Sequence, residues 1–149
     1  MGAPQARIGP DEFAGRLVAM CVDARIQALP ARARDQEIWL KAASLELAPE
    51  SQLSEHGVDE RLRAWLLELW PGLNVDHITL RRMLVDHGYL MRDPAGTRYE
   101  RRSVAHFGEG VDTCDVRAHV KKAMEERSRR KAAHGRKISR ETGTRRKRW

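Results

Sequence analysis

The 149-residue chain is poor in the features that mark the commonest functional classes. It has two cysteines, Cys21 and Cys114, too few for a disulfide framework, so a reduced compartment is the simplest setting. No apolar run approaches the ~20 residues that span a bilayer. The opening "MGAPQARIGP" lacks the apolar core of a secretory signal. It also carries Ala6 where a myristoylation motif wants Ser or Thr. The expectation is a cytoplasmic protein with no membrane partner. No glycine-rich phosphate loop or nucleophile elbow is present. Cys114, His106 and His119 do not give the paired, four-ligand spacing of a closed zinc site. These absences argue against an enzyme, a cofactor and a metal. There is no internal repeat.

What the chain does have is charge, unevenly placed. Lys and Arg number 28 against 21 Asp and Glu, a net of +7. From Arg117 to Trp149 there are 14 Lys/Arg and 3 Glu, a net of +11, which leaves −4 for everything before. A mildly acidic body with a strongly basic end points to a polyanionic partner, with nucleic acid favoured over a membrane surface.

Six prolines punctuate the rest: Pro4, Pro10, Pro30, Pro49, Pro71 and Pro94. Residues 1–10 read as a flexible lead. Phe13, Leu17, Met20, Cys21 and Ala24 recur at helical spacing, which predicts a helix over about 11–28. A second helix lies in "ARARDQEIWLKAASLEL", with Ile38, Ala42 and Leu45 on one face and Trp39 beside it. Ser54 caps a third, whose apolar stripe is Val58, Leu62, Trp65, Leu66 and Leu69. Asp76 caps a fourth, with Leu80, Met83, Leu84 and His87 on one side and Gly88 as its terminator. "YLMR" and "TRYE" alternate like paired strands around Asp93-Pro94-Ala95-Gly96.

The fold class expected is mainly α with a small β-hairpin. In domain terms it is a winged helix-turn-helix domain over 11–102, with its leading helix. Residues 103–149 follow as a linker, a basic helix of about 115–131 and a disordered tail from Ala132. Trp39, Trp65 and Trp70 read as core, and His77 and His87 as packed rather than catalytic.

Three blocks carry a family resemblance: "ALPARARDQEIWLKAA", "LSEHGVDERLRAWL" and "DHITLRRMLVDHGYLMRDPAGTRYE". They resemble the bacterial domain-of-unknown-function 2087 family over about 25–101. The matching positions are Pro30, Ser54, Glu55, Val58, Leu80, Arg81, Arg82, Leu84, Val85, Asp86, Gly88, Arg92, Asp93, Gly96 and Tyr99. The resemblance implies a domain similar to small winged-helix transcriptional regulators. The lack of a targeting segment gives the expected setting, bacterial cytoplasm, in the nucleoid or with ribonucleoprotein. The chain departs from the family at Gly57, and it adds a basic extension.

In a winged helix-turn-helix the third core helix lies in the major groove and the hairpin presses the adjacent backbone. The candidate nucleic-acid contacts are therefore Thr79, Arg81 and Arg82 on the helix and Arg92, Arg98, Arg101 and Arg102 around the hairpin. The basic end adds Arg129, Arg130, Lys131, Arg136, Lys137, Arg140, Arg145, Arg146, Lys147, Arg148 and Trp149. Arginine suits the task because its planar fork matches guanine or phosphate bidentately. The structural alternative pairs Arg81 or Arg82 with Asp76 or Asp86. The expected function is a small DNA-binding regulator or architectural factor. The alternative is an RNA or ribonucleoprotein accessory factor, whose acidic body docks on protein while its tail binds RNA.

Overall fold

The computed structural model describes residues 6–24, 26–47 and 52–146, without the side chains of 23, 24 and 137–146. Five α-helices and a three-stranded antiparallel sheet make up the described chain. Helix α1 (Pro10–Val18) runs on into a π-helical segment, Ala19–Ala24. Then come α2 (Ala33–Ser44), β1 (Leu53–Ser54), α3 (Glu55–Leu69), α4 (His77–Asp86), β2 (Leu90–Arg92), β3 (Arg98–Arg101) and α5 (Val116–Arg146).

The caps expected from sequence form. The Gly57 amide donates to Ser54 Oγ at 3.0 Å, and the Thr79 amide to Asp76 Oδ1 at 2.7 Å. Each satisfies one of the orphan donors of a first helical turn. The five residues of the α3 stripe are all buried, as are Leu80 and Leu84 of α4. Gly88 closes α4 with φ 84°, a left-handed conformation that costs glycine little.

The hairpin turn is held by Asp93, whose Oδ1 accepts from the Thr97 and Arg98 amides. Strand β3 lies between β1 and β2, so the short strand before α3 completes the sheet at Leu53↔Tyr99. Two residues show too little alternation for β1 to be read from the sequence.

Helix α2 is the centre of the packing. From Ile38 to Ser44 every residue is buried. Its tryptophan, Trp39, packs against Trp65 in a tilted pair and against Trp70 edge to face, at ring separations of 5.6 and 6.4 Å. These three are core, as their spacing predicts. Lys41 is buried as well. It pairs with Asp112 at 2.6 Å and lies 5.5 Å from the Phe107 ring.

Three sequence expectations need correction. The leading helix changes to π geometry at Ala19 and residues 26–28 lie outside it, while Arg25 is not among the described residues. The lead is tied down at Ile8, which is buried and hydrogen-bonded on both sides, to the His106 carbonyl and the Gly108 amide. A single apolar residue between Arg7 and Gly9 has no period and gives no warning of this. The third correction is α5, which continues as a helix to Arg146 where disorder is expected from Ala132. The low hydrophobicity of that stretch alone argues for disorder. Its Ala, Arg, Lys and Glu are strong helix formers, and Glu125–Arg129 and Glu126–Arg130 repeat at i,i+4 in the favourable order. The helix is nucleated against the body, where Val116 and Val120 are buried, so its extension adds turns without a new nucleation cost.

Candidate nucleic-acid interface

The cationic side chains proposed from sequence separate into three groups. The first is structural. Arg81 is only 13% exposed and bridges Glu55, at 3.0 Å, and Asp59 of α3. Its guanidinium also lies 5.8 Å from the Tyr99 ring. Burial alone would lower its pKa, but the bond to Asp59 and the charges around it raise it overall. Arg81 therefore welds α4 to α3 and is not free to meet a ligand. Arg101 donates to the Leu47 carbonyl at 2.9 Å, fixing β3 to the turn that follows α2. Arg102 rests on the Met91 sulfur.

The second group converges. Strand register pairs Arg92 with Tyr99 and Met91 with Glu100. Opposed residues share a face, so Arg92 and Arg98 stand on opposite faces of the hairpin. Arg98 is held outward on Gln52 at 2.7 Å. Arg92 faces α4 and lies back over the turn, where Gly96 (φ 73°) has no Cβ to collide with its guanidinium. There it lines a cleft of about 370 Å³ with Glu55, Arg81, Arg82, Val85, Asp86 and Tyr99. Arg82 is exposed and enters this cleft from α4. Thr79 is exposed on the same helical face, one turn earlier. Asp76 below it is held under the usual carboxylate range, first by the Thr79 amide.

The third group is α5. Its first turns are locked to the body: the Ala118 amide is capped by Asp115 at 3.1 Å. Arg117 forks onto Glu46 at 3.0 Å and also reaches Glu68, and those bonds raise its pKa. Arg127 reaches the Val22 carbonyl. Beyond it Arg129, Arg130, Lys131 and Arg136 are exposed. Lys137, Arg140, Arg145 and Arg146 continue the same helical backbone, with side chains outside the described residues. Lys147, Arg148 and Trp149 lie outside the described residues altogether.

Sequence reasoning missed one polar cluster. Glu37 of α2 meets His87 Nδ1 through Oε1 at 2.9 Å, while its Oε2 accepts from the Tyr89 hydroxyl and lies 3.3 Å from His106 Nε2. Burial pushes the Glu37 carboxyl up, but Tyr89, His87 and the charge of both histidines outweigh it and hold the group below its ordinary value. Burial, then Glu37, raises the Tyr89 phenol, so that it stays a donor. The cluster ties the α4–β2 junction and the 103–115 loop to α2. Its other members, His87, Tyr89 and His106, lie 50, 52 and 69 residues from Glu37, which spacing rules do not reach. His87 is thus a half-exposed partner of Glu37 and not a packed core histidine.

A family model described as an uncharacterized protein family conserved in bacteria, DUF2087, matches residues 25–101. The chain belongs to this family. No curated protein and no solved structure matches the chain. The DUF2087 region spans α2 to β3 and contains the whole cleft, while α5 lies outside it. Among the described residues no helix is long and apolar enough to cross a membrane, and no group of His, Cys, Asp and Glu is placed to hold a metal ion.

Proposed function

We propose that this DUF2087 protein is a winged helix-turn-helix nucleic-acid-binding protein, acting on duplex DNA as a regulator or architectural factor. The observation that carries the reading is the meeting of Arg82 from α4 and Arg92 from the hairpin at one cleft, with Thr79 on the same helix face. The order α2-β1-α3-α4-β2-β3 and the sheet order β1-β3-β2 support it, since a helix backed by a small sheet and flanked by a hairpin is the layout that seats a helix in the major groove. Phosphate contacts from α5 would supply affinity and make binding steeply salt-dependent.

The test is truncation. A cut at Arg117 would remove the buried Val120 and the Arg117 clamp, so the cut belongs after Ser128. Residues 129–149 hold ten Lys/Arg and one Glu. Their removal should weaken binding to all duplexes alike. It should also flatten the salt dependence by about 0.9 in slope for each phosphate that α5 no longer neutralises. Unchanged affinity and slope in the truncated chain would remove α5 from the account. Competition with structured RNA tests the alternative: RNA displacing duplex DNA at sub-stoichiometric amounts would move the function to a ribonucleoprotein.

A further inference from the structure

Asp86 is the anomaly of the cleft. It is exposed beside two arginines, yet the ion pairs of this region, from Arg81 to Glu55 and Asp59, leave it out. Helical spacing allows Arg82 and Asp86 to pair at i,i+4, but among the described residues no ion pair joins them. Asp86 is also the last residue of α4, and no basic residue occupies that turn. A negative charge there opposes the negative end of the helix dipole and weakens the element that carries it. It would also repel any phosphate the two arginines attract. A surface built only to hold a sugar-phosphate backbone gains nothing from it. Local rules are broken in this way chiefly at functional or strained sites.

The missing compensation has a definite chemistry. In the major groove guanine offers two acceptors, O6 and N7, which an arginine fork meets bidentately, and cytosine offers an N4–H donor, which a carboxylate accepts. Arg82 and Asp86 stand one helical turn apart on one face, with a rise of about 6 Å between them. We propose that the pair reads the two halves of a G·C base pair, Arg82 on guanine and Asp86 on cytosine. Arg92 braces the hairpin side of the same contact. This rests on the reading of α4 and the hairpin as a DNA-facing surface, and it assigns that surface a base preference. Asp86 is then a specificity residue: it excludes duplexes that present no donor and tolerates loss of non-specific affinity.

The experiment is selection from a randomised 20-base-pair duplex library by the full chain and by Asp86→Ala, followed by binding measurements on the selected duplex with its cytosine replaced by thymine in an A·T pair. The wild-type pool should fix at least one G·C pair, and the A·T replacement should weaken binding about tenfold. In Asp86→Ala that discrimination should vanish while binding to random duplex holds or tightens. Urea unfolding of Asp86→Ala should match the wild type or exceed it, which a structural role would not give. Unchanged discrimination in the variant, or equal losses on every duplex, overturns the assignment while leaving DNA binding standing. Failure of the full chain to retain any duplex overturns the DNA reading, and this assignment with it. A wild-type pool without base preference that is displaced by an arginine-rich peptide would make the cleft a peptide site.

Discussion

Arg81 turns inward between Glu55 and Asp59, while Arg82 turns outward into the cleft, and the two neighbours should respond oppositely to the same change. Arg81→Ala removes a mostly covered partner from two carboxylates and should cost about 1–3 kcal/mol of stability. Arg82→Ala should stay within about 0.5 kcal/mol of the wild type in urea unfolding, as an exposed side chain with no ion pair among the described residues. Binding should show the reverse order once loss of fold is corrected for. The sequence offered Asp76 and Asp86 as partners for both arginines, because helical spacing only sees neighbours on one helix. The true partners of Arg81 come from α3, 22 and 26 residues away, and only packing brings them near. The outward face of Thr79 and Arg82 was legible because it follows from helical period alone. The division of Arg92 from Arg98 was not, since it depends on a strand register that the hairpin sequence leaves open.

Among the elements, α3, α4 and the hairpin follow closely from caps and stripes, and α2 and α5 do not. Helix α2 is covered by α1 and α4 and by a loop that carries little periodicity, so its burial all round has no simple sequence signal. Its Glu37 cluster adds a pH-dependent tie between elements. The carboxyl is held below its ordinary 4.5. A lowered carboxyl contributes stability above the unfolded value, and the contribution fades as pH falls through the depressed folded value. Glu37→Gln should therefore destabilise the protein by about 1–2 kcal/mol near pH 7, with the difference from wild type shrinking below about pH 4.5, read by urea unfolding across pH. A difference that stays constant across that range would show that the carboxylate charge is not what matters. Helix α5 makes a further prediction. Gly135→Pro should lower the far-ultraviolet helical signal by several residues' worth while leaving the unfolding midpoint of the body unchanged, because the described part of α5 that meets the body ends at Lys131. A falling midpoint would mean that the outer half of α5 packs somewhere.

At the scale of the whole molecule two cationic features sit on one acidic body. The cleft is closed by Glu55, at the first residue of α3, and α5 is clamped by Arg117 to Glu68, near its last. Thirteen residues of helix separate those anchors, about 20 Å, close to the width of a duplex. The family model covers the first feature only, so the charge asymmetry of the chain is largely the work of the added helix. Composition exposed that asymmetry at once, while the cleft needed the fold. The central claim is that both features meet the same nucleic acid. The most direct measurement is a titration of the isotope-labelled full chain with a 20-base-pair duplex at 50 mM salt, followed by amide chemical shifts. Shifts concentrated in Thr79–Asp86, in Arg92–Arg98 and in α5 beyond Ser128 are the predicted result. Shifts confined to α5, with α4 and the hairpin unmoved, would contradict it.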